Sequence, residues 1–322
     1  MSGMLERISS WHIGKREWAG VSWLWRWPPV ALEIVIDNVL LFAYPAPVRY
    51  INRPQLAIAS PKKPTHNVER TPAVMSKLAN LKVKLFTDGA DKAQIVEMAK
   101  QPWIAGFTTN PSLLKKAGVR DYEAFARDLV AAVPDRHISF EVFSDDIPEM
   151  LAQGRVIASW GKNVHVKLPV TTTRGEPLYD TIRTLSRDGV KTNVTAIFTS
   201  EQAQRAAEAL DGGAPGCISV FAGRLADLGI DYRPIMRDAI ARARKTRNIE
   251  IIWASTREVF NVLEADEMGC HIITAPADIL KKLQAIGTKT GAELSLDAVK
   301  AFRDDAVAAG LTLATKAMPA TA

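Results

Sequence analysis

Lys167 lies inside VHVKLPV (164–170), where Val166, Leu168 and Val170 mark a buried strand rather than a solvated face. Lysine is rarely buried without a partner or a purpose. Strand alternation puts His165 and Lys167 on one face and Val164, Val166 and Leu168 on the other, so the polar pair points away from the packed side. Desolvation disfavours a charged amine, and a free amine is the form that attacks a carbonyl. A structural reading stands beside this one: Lys167 ion-paired to Asp88 or Glu141 as interior filling. Schiff-base chemistry also needs proton donors and acceptors. Asp88 and Glu141 supply two carboxylates, at the ends of KVKLFTD (82–88) and within HISFEVF (137–143). Asn193 and Thr195 share one face of VKTNVTAIF (190–198) by period two, within reach of substrate hydroxyls or a water. Each has a plainer role available: Asp88 as a helix cap before DKAQIVEMA, Asn110 as a turn residue before Pro111, Thr195 as β-branched strand filling. Arg224 and Arg257 offer planar forks of donors that match a phosphate, with Ser255 adding a hydroxyl; surface pairing of Arg224 with Asp227 and of Arg257 with Glu258 is the alternative.

These residues sit at the ends of short apolar runs, and the runs define the elements that position them. Eight occur, at 82–88, 104–108, 137–143, 163–169, 190–198, 216–223, 249–255 and 270–276. Between them lie segments such as YEAFARDLVAAV and SEQAQRAAEALDGG, whose apolar residues recur at three and four, the helical period. Strict alternation of strand and helix predicts a parallel sheet. Eight repeats in this length predict a (β/α)8 TIM barrel, at the compact end of its size range, with an extra C-terminal helix over 294–310. In such a barrel chemistry belongs at the carboxyl ends of the strands, where Asp88, Thr108, Thr109, Asn110, Glu141, Lys167, Asn193, Thr195, Ser219, Arg224, Ser255 and Arg257 collect. The two arginines follow the sixth and seventh strands, close to where these barrels often bind phosphate.

Composition sets the outer bounds. The chain has 322 residues, 47% of them hydrophobic and 24% charged, which excludes disorder as the global state. Two cysteines, Cys217 and Cys270, are too few and too far apart for a disulfide scaffold or a four-ligand zinc site, and a reducing, cytoplasmic setting is the default. The net charge is +6, but residues 1–80 hold ten basic against five acidic side chains, so the body is nearly neutral and is not built to neutralise nucleic-acid phosphates. Residues 1–74 carry five of the eight tryptophans and eight of the eighteen prolines. They read as a loosely ordered extension, or as translation from a start upstream of Met75, with 75–322 forming the barrel and its terminal helix. The apolar run of the extension, 28–48, contains Glu33, Asp37 and Asn38, which argues against stable membrane insertion.

Residues 81 to about 310 resemble the transaldolase family in its short form, which includes the fructose-6-phosphate aldolases. The resemblance is carried by FTDGAD (86–91), GFTTNPSLL (106–114), SFEV (139–142), NVHVKLPVT (163–171), GVKTNVTAIFTSEQA (189–203), ISVFAGRLADLGID (218–231) and ASTREV (254–259). It implies a Schiff-base mechanism without metal or organic cofactor. Lys167 would form the imine, Asp88 would act as acid and base at the hydroxyl beside the cleaved bond, and Glu141 with Thr195 would hold the water that shuttles protons. Asn110, Asn193 and Ser219 would bind donor hydroxyls, and Arg224, Ser255 and Arg257 the sugar phosphate. The implied reaction moves a dihydroxyacetone unit from sedoheptulose 7-phosphate or fructose 6-phosphate to glyceraldehyde 3-phosphate or erythrose 4-phosphate, in the pentose phosphate pathway. Glu at 141 and Phe at 221 resemble the transaldolases, whereas the aldolases tend to carry Gln and Tyr there. Gly89 after Asp88, where Thr is commoner, and Val220, where Pro is often found, depart from the pattern. A homo-oligomer is expected, since the terminal helix resembles one that packs across subunits in the short-form family. A lyase with the same lysine, or a non-catalytic barrel scaffold associated with membranes through residues 1–74, are the alternatives.

Overall fold

The computed structural model describes residues 80–313, together with two short strands nearer the N-terminus, β1 (Ile34–Ile36) and β2 (Val39–Leu41). β1 and β2 pair antiparallel within the apolar run of the extension, where the sequence reading assigned no strand. They belong to one unit, Met1–Thr65, and the barrel to another, His66–Ala322. The remaining expectations for residues 1–74 lie outside the described residues.

Eight parallel strands close on themselves: β3 (Lys84–Asp88), β4 (Ile104–Thr108), β5 (His137–Glu141), β6 (Val164–Pro169), β7 (Thr192–Ile197), β8 (Gly216–Val220), β9 (Ile249–Trp253) and β10 (Ile272–Pro276). β10 pairs with β3 to complete the ring. The molecule is a (β/α)8 barrel, and each strand falls within one of the eight apolar runs. The outward positions Ile138, Phe140, Val166, Leu168, Val194, Ile218, Ile251 and Trp253 are fully buried, because helices cover that face. The inward positions carry the polar side chains of the site together with Phe86, Ile252 and Ile272, which pack on one another apart from the outer core.

Helix starts follow local capping chemistry. Asp91, Asp121, Asp146 and Thr199 each accept a hydrogen bond from the backbone N–H three residues on, at the starts of Lys92–Ala99, Tyr122–Ala132, Ile147–Ala158 and Ser200–Leu210. Asp91 therefore takes the capping role that was open to Asp88, and Asp88 is left to the interior. Two glycines are required by close approach. A β-carbon on Gly106 would come within 2.6 Å of the Phe86 ring, and one on Gly223 would come within 1.6 Å of the Ser255 carbonyl oxygen. The terminal helix, Gly291–Ala308, opens with a capping box at Thr290 and Glu293 and has no buried residue.

Candidate active site

The carboxyl ends of the strands surround a cavity of about 460 Å³. Of the eleven residues that the sequence reading assigned to the site, ten line it: Asp88, Asn110, Glu141, Lys167, Thr195, Ser219, Phe221, Arg224, Ser255 and Arg257. Asn193 lies beneath its floor, fully buried. Strand register explains the convergence. Glu141 pairs with Lys167, and Lys167 with Asn193, across adjacent parallel strands, so inward side chains stand side by side around the ring.

Lys167 is 7% exposed and points into the barrel. Its Nζ donates to the Thr109 carbonyl oxygen at 2.9 Å and stands 3.4 Å from Glu141 Oε2. The Coulombic attraction to both carboxylates is visible from their side, since the Lys167 charge pulls Asp88 and Glu141 downward. Burial outweighs it, and both carboxyls end above their ordinary range. A carboxyl so raised can hold or release a proton closer to neutrality than a solvated one, as general acid–base work requires.

Each carboxylate is held from behind. Thr108 Oγ1 donates to Asp88 Oδ1 at 2.8 Å, and Thr108 and Thr274 hydroxyls lie 2.6 Å apart. Because the Thr108 proton is committed to Asp88, the Thr274 hydroxyl is the donor of that second bond. Thr274 in turn is braced by Thr256, whose hydroxyl donates to the Thr274 carbonyl at 2.7 Å. Glu141 is fixed through its backbone: its N–H donates to the Tyr122 hydroxyl at 2.8 Å, and that hydroxyl donates to the Glu141 carbonyl at 3.0 Å. Glu141 Oε2 has only the Lys167 amine at 3.4 Å beside it and Thr195 Oγ1 is buried without a hydrogen-bond partner, and both residues line the cavity. Both oxygens are available to a polar partner at the cavity.

The floor is a hydrogen-bonded column. Ser219 Oγ donates to Asn193 Oδ1 at 2.7 Å, and Asn193 Nδ2 donates to Ser139 Oγ at 3.0 Å. With its proton given to Asn193, the Ser219 hydroxyl presents lone pairs to the cavity. Asn193 acts on the cavity through Ser219. Asn110 also caps Pro111–Lys116 by accepting from Leu113 N–H at 3.0 Å, so its structural role and its place on the rim coincide.

The cationic end is built from the β8 and β9 loops. Arg224 lies over the Phe221 ring, 4.8 Å from its centroid. Arg257 is tied to Asp227 by bonds of 2.7–3.1 Å, so the surface pairing anticipated for Arg224 falls to Arg257. Ser255 has φ +64°, a strained conformation for a residue with a β-carbon, and its carbonyl presses against Gly223. Strain of this kind concentrates at sites where neighbouring structure dictates the backbone.

Residues 85–318 match the family model described as Transaldolase/Fructose-6-phosphate aldolase. The chain belongs to this family. Proteins described as "Probable transaldolase" from Thermoanaerobacter sp. and Clostridium acetobutylicum are 39% and 40% identical to it, over 62% of this chain and 89% of each relative. One of the same description from Methanococcus maripaludis is 37% identical, again over 62% of this chain and 89% of its own length. The family places an enzyme of the transaldolase or aldolase kind on this barrel.

Four contributors escaped the sequence reading: Ser139, Thr274, Thr256 and Tyr122. Thr274 had a detectable signal, a hydroxyl near the end of the run 270–276 on its inward phase. Tyr122 had none, since it reaches β5 only through the packing of its helix.

Proposed function

We propose that the protein is a transaldolase acting by Schiff-base transfer of a dihydroxyacetone unit between sugar phosphates, in the cytoplasm and within the pentose phosphate pathway. The observation that carries this reading is the buried Lys167 amine 3.4 Å from Glu141, in a cavity that Asp88 also lines. Lys167 Nζ adds to the ketose C2 carbonyl, and the resulting carbinolamine loses water. A water held by Glu141 and Thr195 carries the protons of both steps. Asp88 then takes the proton of the C4 hydroxyl, the C3–C4 bond breaks, and its electron pair moves into the iminium to give an enamine. The aldose phosphate leaves. A second aldose phosphate enters, the enamine attacks its aldehyde, Asp88 returns the proton to the new hydroxyl, and hydrolysis frees Lys167. Asn110, Ser219 and, through it, Asn193 orient the donor hydroxyls, with Phe221 closing the wall. Arg224, Ser255 and Arg257 receive the phosphate.

Glu141 and Phe221 favour transfer over simple cleavage, since a carboxylate cycles protons where an amide cannot. The exposed apolar side chains of the terminal helix support association with a second copy of the chain. Borohydride reduction in the presence of fructose 6-phosphate, followed by peptide mass mapping, tests the assignment. The expected adduct is on Lys167; an adduct on another lysine, or none, overturns it. With the acceptor omitted, a transferase stalls as a reducible imine, whereas steady release of dihydroxyacetone would indicate a lyase.

A further inference from the structure

The floor of the cavity continues downward as a chain of hydrogen bonds that ends on an imidazole. His137 and Ser139 both face inward from β5, and His137 Nε2 lies 2.9 Å from Ser139 Oγ. Ser139 Oγ also receives Asn193 Nδ2–H at 3.0 Å, and Asn193 Oδ1 receives the Ser219 hydroxyl at 2.7 Å. Ser139 and Asn193 are fully buried and Ser219 nearly so, so these groups must satisfy one another. A hydroxyl carries one proton, and an amide has a donor end and an acceptor end, so such a chain runs in one of two directions. With Asn193 donating into Ser139, the Ser139 proton goes to His137 Nε2, which accepts it only if it carries no proton of its own. The ring is held in place for this. His165 stacks on its face, with centroids 3.6 Å apart and planes 7° from parallel, and Phe86 meets it edge to face at 4.8 Å. Burial, and then His165, Lys84 and Lys191, hold the imidazole well below its ordinary value, so the ring stays neutral and keeps one bare nitrogen. This layer of a barrel is ordinarily filled by bulky branched side chains, as Ile252 and Ile272 fill it here, and His137 brings to it a nitrogen that bulk alone does not require.

We propose that His137 is a positioning residue: by accepting at Nε2 it fixes the direction of the column, so that Ser219 turns its proton away from the cavity and offers lone pairs to a hydroxyl of the ketose donor. The identity of that ligand rests on the transaldolase reading above. Were Nε2 protonated, its N–H would donate to Ser139, the Ser139 proton would turn to Asn193, the amide would reverse, and Ser219 would present its proton to the cavity. A substrate hydroxyl bound there would have to reverse as well, at the cost of the bonds it makes beyond Ser219. His137 opens β5 and Glu141 closes it, so a single strand carries both the foot of the column and a carboxylate of the cavity.

Nitrogen-15 labelling of histidine in the full chain reads the ring directly. The His137 signals, assigned by their loss in His137→Leu and their displacement in Ser139→Ala, should show Nε2 without a proton and Nδ1 with one; a protonated Nε2 overturns the proposal. Kinetics give the second readout. Ser139→Ala and His137→Leu should each raise KM for fructose 6-phosphate about 10-fold with a smaller effect on kcat, and the double variant should be no worse than either, because both break the same chain. Additive losses, or losses in kcat alone, would reduce the two side chains to packing and overturn it. Should His137→Leu fail to fold, Ser139→Ala decides: an unchanged KM or an unmoved Nε2 signal overturns the proposal. At saturating fructose 6-phosphate each variant should still form the reducible adduct on Lys167, since the amine is untouched. A wild type that forms no adduct removes the transaldolase reading, and the ring spectrum then still decides the direction of the column.

Discussion

At the scale of single residues, the site works by withholding water from charges that would otherwise be stabilised by it. Lys167→Ala should lower turnover by about 10⁴-fold or more while leaving the circular dichroism spectrum intact, since the nucleophile is removed but the barrel is not. A variant retaining appreciable activity would dismiss the amine as nucleophile. Glu141→Gln should slow transfer and raise the share of free cleavage; unchanged rate and product split would count against Glu141 as a proton carrier. Asp88 makes a prediction about stability. Burial raises its carboxyl, so the folded state keeps the proton to higher pH than the unfolded chain does. Its cost is absent below the ordinary carboxylate range and grows as pH rises through the folded value. Asp88→Asn should therefore gain in melting temperature relative to wild type as pH rises from the ordinary carboxylate range through neutrality. A difference that stays flat or shrinks over that range would show that the Lys167 charge, and not burial, dominates.

Elements position these groups through backbone contacts that side-chain inspection alone overlooks. The loop after β9 and the short helix Ala222–Asp227 touch where Gly223 faces the Ser255 carbonyl, and no β-carbon fits between them. Gly223→Ala should push this loop outward, destabilise the fold by roughly 1–3 kcal/mol, and raise KM for phosphorylated substrates more than it lowers kcat. Thermal melts and steady-state kinetics with a phosphorylated and an unphosphorylated donor check this; equal effects on both donors would remove the phosphate from that loop. On the opposite wall Tyr122, from the helix Tyr122–Ala132, meets both the N–H and the carbonyl of Glu141, so a helix on the outer layer sets the height of a carboxylate in the cavity.

At the largest scale the barrel sheet is closed, and among the described residues the terminal helix Gly291–Ala308 buries no side chain. Leu294, Leu296, Val299, Phe302 and Val307 are all more than half exposed along one helix. Exposed apolar surface of this kind marks an interaction site, and a symmetric association between copies is its simplest cover. Phe302→Asp should move the full chain to a smaller species in light scattering without altering borohydride trapping at Lys167. An unchanged mass would assign the helix another role. Among the described residues no helix is long and apolar enough to cross a membrane.

Period-two and period-three-to-four patterns in the sequence determined the number of strands, their order and which face of each is wet, because a strand buried on one side and lined with polar groups on the other can satisfy both only in a closed, helix-covered sheet. The polar strand ends, Lys167 among them, were legible for the same reason. Tertiary structure alone decided how the candidates divide their work: Asp91 and not Asp88 caps the first helix of the barrel, Asn193 serves through Ser219, and Arg257 is the arginine that takes Asp227. It also brought His137, Ser139, Asn193 and Ser219 into one hydrogen-bonded column, although three separate strands supply them. Local periodicity reports which way a side chain faces, but the distance across a barrel depends on strand register, tilt and closure, and no segment of sequence carries that information by itself.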